Sequence, residues 1–249
     1  MLLTIDVGNT QTVFGLYEGA ELTDHWRIAT ERQRSGDELG AQYKAFLDLA
    51  RVDGISLSST VPQLSRSYQE FAALYADAEL LEIGPGVKTG ITIRYDDPRE
   101  VGPDRIANAV AAADRYGAPC IVVDFGTSTN FDVVSADGEY IGGVLAPGIE
   151  ISMDALFERA ARLRKVDFVE PATVIGRTTV AALQSGVVYG FAGQVDGIVT
   201  AIRKELGTDA RAIATGGLAE LICPHASTIE RVDPFLTLEG LRLVWERNR

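Results

Sequence analysis

Two short stretches of the sequence repeat one pattern, an apolar strand that ends in an aspartate and leads into a glycine-containing polar turn. They are residues 2–12 and 121–130. Asp124 follows Asp6 by 118 residues, the difference between the two positions, which is close to half of the 249-residue chain. One acidic turn is weak evidence, but a pair that opens each half predicts two similar domains. We expect them to face a cleft lined by carboxylates and by backbone loops that can bind a phosphate group.

The composition favours a folded protein that does not bind nucleic acid. Hydrophobic residues make up 46% of the chain and charged residues 23%, which is typical of a globular protein. The net charge of −12 argues against nucleic acid as a partner, because neutralising its phosphates requires a basic face. An anionic substrate would therefore need a local cluster of basic residues.

The cysteines and the apolar runs argue against disulfide-rich, zinc-binding, secreted and membrane-spanning proteins. Cys120 and Cys223 cannot form a disulfide framework, and no Cys-x-x-Cys or His/Cys cluster is present to bind zinc, so we interpret both as structural thiols. The first strand reaches a charged residue at Asp6, and no apolar run is long enough for a signal peptide or a membrane span. We expect a cytoplasmic protein with no membrane partner.

The hydrophobic periodicity predicts a mixed α/β unit in each half. The first half reads as three antiparallel strands, a capped helix that starts after Ser35, and further strands and helices. The second half repeats the strand, hairpin, strand order. The predicted strands are residues 2–7, 12–17, 22–28, 55–59, 80–83, 121–124, 131–135, 140–145 and 210–214. The predicted helices are residues 39–50, 63–75, 104–116, 149–163 and 179–206, the last interrupted by glycines. We place the domain boundary after Gly117, giving domains 1–117 and 118–249.

The first turn has the residues that a phosphate site needs. Gly8 lets the backbone approach a ligand closely, and the side chains of Asn9, Thr10 and Thr12 can donate hydrogen bonds. The carboxylate of Asp6 can hold a hydrated Mg²⁺ against phosphate oxygens. A hairpin that uses Asp and Asn only for turn geometry is the alternative for a single turn, and the second copy argues against it.

The paired turns resemble the phosphate motifs of the actin, hexokinase and Hsp70 superfamily. No GxxxxGK[ST] or GxGxxG loop is present, which argues against a P-loop kinase or a dinucleotide-binding domain. The resemblance implies an α/β fold of duplicated ribonuclease-H-like domains, each with a mixed five-stranded sheet. It also implies that ATP binds in the interdomain cleft.

Five motifs narrow the resemblance to the type III pantothenate kinase family. They are DVGNT at residues 6–10, GPDR at 102–105, DFGTSTNFD at 124–132, GGVLAPGI at 142–149 and TGG at 215–217. GPDR is the most discriminating, because the acidic turns recur across the superfamily. The second turn departs from the family's frequent DFGTATTFD only at Ser128 and Asn130. The resemblance implies ATP-dependent phosphorylation of pantothenate at its 4′-hydroxyl, the first step of coenzyme A biosynthesis, and a homodimer.

The same resemblance assigns roles to individual residues. Asp104 is implied as the catalytic base, and Asp124 as the ligand of a monovalent cation, K⁺ or NH₄⁺. The residues implied in ATP binding are Asp6, Val7, Gly8, Asn9, Thr10, Gln11, Thr12, Val13 and Thr127. Those implied in pantothenate binding are Tyr95, Gly102, Pro103, Asp104, Arg105 and Thr179.

The GPDR motif supports these roles on physical grounds. A helix that begins with Gly-Pro presents a positive dipole end to an anionic substrate, and Arg105 can bind a carboxylate through two hydrogen bonds. Asp104 is ionised at neutral pH unless it is strongly perturbed, so it can accept a proton from an attacking hydroxyl. The alternatives are a nucleotide-binding regulatory protein and another small-molecule kinase of the same superfamily. A substrate panel would distinguish them.

Overall fold

The computed structural model describes residues 1–160 and 163–249. Over this part of the chain the strands are β1 (Leu2–Val7), β2 (Gln11–Glu18), β3 (Glu21–Ala29), β4 (Gly54–Ser59), β5 (Glu79–Glu82), β6 (Thr92–Ile93), β7 (Cys120–Phe125), β8 (Ser128–Val134), β9 (Glu139–Pro147), β10 (Arg211–Gly216) and β11 (Arg231–Val232). The helices are α1 (Gly36–Lys44), α2 (Pro62–Phe71), α3 (Pro103–Tyr116), α4 (Ile149–Arg159), α5 (Thr179–Leu206), α6 (Ala219–Ile222) and α7 (Leu236–Arg247). None of the helices described here has both the length and the apolar character needed to span a bilayer.

The chain divides into two compact units. The first unit contains Met1–Ala111 and Leu236–Arg249, and the second contains Ala112–Phe235. The sequence placed the boundary after residue 117 and assigned the whole C-terminal segment to the second domain. The division differs because α3 runs without interruption past residue 111, and because α7 packs on the first unit although it follows the second along the chain.

The two units contain sheets of the same topology. In the first unit the strand order is β3–β2–β1–β4–β5, and in the second unit the order is β9–β8–β7–β10–β11. In each unit the central strand is antiparallel to the hairpin strand that follows it and parallel to its other neighbour. Asp6 and Asp124 each occupy the fifth position of their six-residue central strand. The duplication predicted from the two acidic turns is therefore confirmed.

The first sheet has one face that packs into the apolar core and one face whose centre carries small and polar residues. Alternate residues of β1 and β4, such as Leu3, Ile5 and Leu57, belong to an apolar core shared with α1 and α2. The register aligns Thr4 with Ser56 and Asp6 with Ser58, so these four residues project from the opposite face. The strand alternation thus places the acidic residue on the face that the apolar core does not fill.

Helix α7 covers part of this small-residue face. Gly54 lies directly under the ring of Trp245, where a Cβ atom would overlap the indole. The Ser56 hydroxyl donates a 2.9 Å hydrogen bond to the carbonyl oxygen of Leu241. The small residues Gly54 and Ser56 of β4 therefore let the helix approach this strand closely. This helix was not predicted from the sequence.

The second unit has its own apolar core between its sheet and helices α4, α5 and α6. Ile121, Val123 and Phe125 contribute to this core from β7. The predicted helix 149–163 ends at Arg159, and residues 161–162 of that prediction lie outside the described residues. Helix α5 is continuous from Thr179 to Leu206, so its glycines do not break it as the sequence suggested.

Replacing each of two glycines in helix interiors by alanine should change the stability of the protein in opposite directions. Within an exposed helix, Gly→Ala stabilises a protein by about 0.5–1 kcal/mol. A Cβ at Gly190 in α5 would meet no atom within 4 Å beyond the adjacent backbone of its own helix, so Gly190→Ala should stabilise the fold by this amount. A Cβ at Gly240 in α7 would overlap the backbone of Ala107 in α3. Overpacking costs about 1–3 kcal/mol, so Gly240→Ala should be destabilising.

Urea denaturation of both variants measures the two free energies of unfolding. Equal effects of the two substitutions would contradict the close packing of α7 against α3.

Candidate active site

The first acidic turn follows β1 and is closed by a main-chain hydrogen bond. Asp6 pairs in register with Val13 on β2, and the Gly8 N–H donates to the Gln11 carbonyl oxygen at 3.0 Å. A Cβ at Gly8 would lie 2.9 Å from the same oxygen, so a larger residue would strain the turn. The sequence therefore needs glycine here because the turn is tight.

Neighbouring segments hold this turn from both sides. The Thr30 N–H donates to the carbonyl oxygen of Thr10 at 2.9 Å. Thr60 donates to the carbonyl oxygen of Val7 from its N–H at 2.9 Å and from its hydroxyl at 3.1 Å. Asn9 and Thr10 remain exposed at the tip. The turn is thus a fixed backbone loop with two exposed polar side chains, as a preorganised phosphate site requires.

The hydroxyl of Thr12 faces the interior rather than solvent. Thr12 is 2% exposed, and its hydroxyl lies 2.9 Å from that of Thr30. The Tyr43 and Tyr68 hydroxyls lie 3.2 Å apart in the same core. Burial raises the pKa of Tyr68 to about 12, although its hydrogen bonds to Tyr43 and Thr12 act in the opposite direction. The Thr12 side chain is therefore part of a buried hydroxyl network beneath the turn.

The second acidic turn is a shorter version of the first. Asp124 pairs with Asn130, six residues later, whereas Asp6 pairs with a residue seven positions later. The Gly126 N–H donates to the Ser128 carbonyl oxygen at 3.1 Å. Gly216 has φ +95°, and its Cβ would lie 2.7 Å from Asp124 Oδ1 and 2.6 Å from the Phe125 carbonyl oxygen. Only glycine therefore leaves room for the carboxylate at the end of this strand.

The start of α4 packs against the second turn. Gly148 precedes the first residue of the helix, and a Cβ at this position would overlap the carbonyl group of Thr127. Thr127 itself is exposed. The free N–H groups of a helix start favour anions, so the turn and the helix start together form a surface suited to phosphate.

The predicted GPDR motif forms the first turn of α3. The Gly102 carbonyl oxygen accepts a 3.2 Å hydrogen bond from the Ile106 N–H, and Pro103 is the first helical residue. Asp104 Oδ1 accepts a 2.9 Å hydrogen bond from the Arg105 N–H, and this oxygen lies where a Cβ of Gly102 would be. Arg105 is 7% exposed. Glycine at position 102 therefore makes room for the Asp104 carboxylate.

Burial raises the pKa of the Asp104 carboxyl group above its ordinary value of 3.8, while the hydrogen bond and the charge of Arg105 oppose the increase. A carboxylate with a raised pKa is a stronger proton acceptor than a solvent-exposed aspartate. The local geometry thus suits a general base.

The other two residues implied in pantothenate binding are Tyr95 and Thr179, and fewer contacts define their positions. Tyr95 is half-buried in the segment after β6. The helix cap of α5 is Thr178, whose hydroxyl accepts a 3.1 Å hydrogen bond from the Ala181 N–H. Thr179 is the first helical residue and is exposed. Thr179 is therefore not needed as a cap.

Two arginines beside the first turn were not identified from the sequence. Arg27 donates a 2.7 Å hydrogen bond to Gln11 Oε1, and Arg32 contacts Asn9 Oδ1 at 3.3 Å. Both residues come from β3 or the segment after it, so the sequence separates them from the turn they contact. The only available signal was the strand meander, which returns the chain to the same end of the sheet.

The cysteines have no role in this chemistry. Cys120 and Cys223 are free and buried. Burial raises the pKa of each thiol to about 12, so neither is a thiolate at neutral pH. The interpretation of both as structural thiols is in line with this environment.

Comparison with solved structures defines the class. A Campylobacter jejuni protein described as a Baf family transcriptional activator superposes with a TM-score of 0.63 at 18% identity, covering 99% of this chain and 98% of that chain. The ROK hexokinase from Thermus thermophilus superposes with a TM-score of 0.51 at 13% identity, covering 98% and 97%. These similarities establish the fold. The protein has the actin-like ATPase fold of duplicated ribonuclease-H-like domains, the fold also found in sugar kinases.

The particular family follows from sequence comparison. The family model described as type III pantothenate kinase matches residues 2–201. A type III pantothenate kinase from Moorella thermoacetica is 54% identical over 254 aligned residues, which cover 100% of both chains. The chain therefore belongs to the type III pantothenate kinase family, and the resemblance drawn from the five motifs is confirmed. It is a kinase, and its family implies ATP and a divalent metal ion.

Substitutions of Thr12 and Thr10 should have different effects, because the first hydroxyl has a structural role and the second is predicted to bind the ligand. Thr12→Val removes a buried hydroxyl that has partners, so the free energy of unfolding should fall by about 1–2 kcal/mol. Thr10→Val changes an exposed side chain and should leave stability within about 0.5 kcal/mol of wild type while raising the KM for ATP. Urea denaturation and steady-state kinetics measure the two effects. Unchanged stability of Thr12→Val would contradict the buried network.

Proposed function

We propose that this protein transfers the γ-phosphoryl group of ATP to the 4′-hydroxyl of pantothenate, giving 4′-phosphopantothenate in the first step of coenzyme A biosynthesis. The observation that carries the proposal is the family match, combined with an intact GPDR motif at the start of α3. In the reaction a bond forms between the 4′-oxygen and the γ-phosphorus, and the bond from the γ-phosphorus to ADP breaks. The hydroxyl proton passes to Asp104.

The first turn of α3 is the proposed acceptor site. The positive end of the helix and the Arg105 guanidinium favour the carboxylate of pantothenate. Because Arg105 is buried, its interaction with a bound carboxylate would be weakly screened by solvent. Asp104 then acts as the base. Tyr95 and Thr179 stay predicted pantothenate contacts.

The first acidic turn is the proposed site of the ATP phosphates, with residues 6–13 and Thr127 as nucleotide contacts. The hydroxyl of Thr12 is not one of these contacts, because it is buried beneath the turn. No group of three or more His, Cys, Asp or Glu side chains that could hold a metal was found among the described residues. Mg²⁺ does not require such a group, because it binds through one or two carboxylates together with waters and substrate phosphates. Asp6 is the carboxylate in position to hold it. When bound, the ion would neutralise charge on the transferring phosphoryl group.

The second acidic turn is the proposed site of a monovalent cation, K⁺ or NH₄⁺. Gly216 brings the Asp124 carboxylate and the Phe125 carbonyl oxygen close to one point of the backbone. Oxygen donors of this kind fit a hard cation. Such an ion would supply fixed positive charge at the second turn.

We also propose a homodimer and a cytoplasmic location. The second unit exposes several large apolar side chains, which a second copy of the chain could cover. They are Ile141, Val144, Leu145, Ile151, Leu156 and Val180. The predicted interface from the helices 149–163 and 179–202 includes three of them. The cytoplasm, where ATP is supplied, stays a prediction.

The direct test of the function is ADP release with a panel of acceptors: pantothenate, acetate, glucose and polyphosphate. Release that depends on pantothenate alone is expected. Nucleotide binding without release in the presence of any acceptor would instead indicate a regulatory protein, and release with another acceptor would indicate a different kinase.

Asp104→Asn should separate catalysis from nucleotide binding. The amide can accept the Arg105 hydrogen bond but cannot take the proton, so kcat should fall by about 10²-fold or more. Phosphoryl transfer has a loose transition state, which keeps the effect smaller than the loss of an essential nucleophile. The Kd for ATP should be close to the wild-type value, as measured by calorimetry. Unchanged turnover would exclude Asp104 as the base.

The raised pKa of Asp104 predicts the acidic side of the pH–rate profile. A general base works in its ionised form, so kcat/KM should fall as the pH decreases through the pKa of Asp104. Because burial raises this pKa, the midpoint should lie above 3.8. A profile of kcat/KM for pantothenate, measured within the range where the protein is folded, gives the midpoint. Activity that stays constant down to pH 3.8 would contradict the assignment.

A further inference from the structure

Four residues form a continuous row across the first sheet at the end of β1. The register aligns Ser58 of β4 with Asp6 of β1, Asp6 with Val13 of β2, and Val13 with Arg27 of β3. Residues that are directly opposite on neighbouring strands project from the same face. Neighbouring strands are about 4.8 Å apart, so the backbone of Arg27 is about 10 Å from that of Asp6. A carboxylate and a guanidinium thus flank a single valine.

On β1 and β2 the row that ends β1 is more open than the row before it, over which α7 packs. The next row toward the start of β1 contains Ser56, Thr4 and Gly15, which are buried, and His25 on β3, which is exposed. In the row that ends β1, Asp6 and Val13 are half-buried and Arg27 is exposed. A ligand at the first turn therefore has access to this row from solvent.

The Arg27 side chain is directed toward the turn by a hydrogen bond. Its Nη1 atom donates to Gln11 Oε1 at 2.7 Å, and the carbonyl oxygen of Gln11 closes the turn by accepting from the Gly8 N–H. Arg27 has no ion pair among those found in the described residues, whereas Arg66 on α2 pairs with Glu70. The guanidinium is therefore held beside the turn by a neutral group, which leaves its charge available to an anion.

The negative charge of the protein makes a cationic side chain beside the first turn important for binding an anion. The protein has a net charge of −12, and the first turn itself contains an aspartate. A triphosphate that approaches it meets a repulsive field, which a fixed guanidinium would reduce in addition to the proposed Mg²⁺. We propose that Arg27 is a nucleotide-phosphate-binding residue, oriented by Gln11, which contacts the phosphate chain from β3, across Val13 from Asp6. This inference rests on the proposed use of ATP and adds a residue to that site.

The test compares Arg27→Gln, Arg27→Lys and the control Arg66→Gln. The control makes the same change of charge and side chain on α2, which packs against the other face of the sheet. Binding of ATP, AMP and adenosine is measured by calorimetry without pantothenate. Arg27→Gln should weaken ATP binding about tenfold and leave adenosine binding unchanged, because the lost hydrogen bond is to a charged group. Arg27→Lys should retain part of the affinity, and Arg66→Gln should match wild type.

The outcomes separate this inference from the proposed function. Wild-type affinity of Arg27→Gln for ATP, or an equal loss for ATP and adenosine, would overturn the role of Arg27 even if pantothenate is phosphorylated. A phosphate-specific loss in a protein that does not phosphorylate pantothenate would support Arg27 and overturn the proposed substrate. If Arg27→Gln does not fold, ATP affinity of Arg27→Lys equal to wild type and unaffected by ionic strength would overturn the inference.

Discussion

The unequal packing of the two faces of the first sheet allows a carboxylate to sit at the end of a central strand. One face is filled by the apolar residues of the core, so a charged group on that side would be desolvated without compensation. The centre of the other face carries Thr4, Gly54 and Ser56, and α7 approaches β4 closely there. Asp6 follows the buried rows of this face and is itself half-buried. The acidic turn therefore depends on side chains that are too small to cover it.

The second sheet uses the same arrangement with different partners. Asp124 shares its face with Asn130 and Thr215, which are its register partners on the two neighbouring strands. On the same face, Asp132 accepts a 2.8 Å hydrogen bond from the Tyr140 hydroxyl. Polar groups of this kind are stable in a folded protein only when they have partners. The duplicated topology thus gives two acidic turns, but each sheet stabilises its own turn by local contacts.

The sequence predicted the regular elements well and their ends less well. The stripe over residues 39–50 predicted one helix, but α1 ends at Lys44. The Asp48 side chain caps a separate 3₁₀ turn, and Phe46 contacts the rings of Phe14 and Trp26 from the connecting segment. Aromatic packing between distant segments therefore outweighed helical periodicity. Helix α7 was missed because the residues that fix it, such as Gly54 under Trp245, are remote in sequence.

The candidate site could be predicted from the sequence only where its residues are contiguous. The turn at residues 6–13 and the GPDR helix start were found because glycine, aspartate and proline have local conformational meaning. Arg27 was not found, since its place beside the turn depends on the register of three strands. The buried orientation of Thr12 was not found either, because it depends on which face the core fills.

The sequence by itself determined the duplication, the α/β class, the family and the two acidic turns, because each is recorded in short stretches of neighbouring residues. The tertiary structure decided which hydroxyls of the first turn face solvent, where α7 packs and which arginines lie beside the first turn. The physical reason is that these features depend on strand register and on contacts between segments far apart in the chain. Local residue preferences cannot specify such contacts.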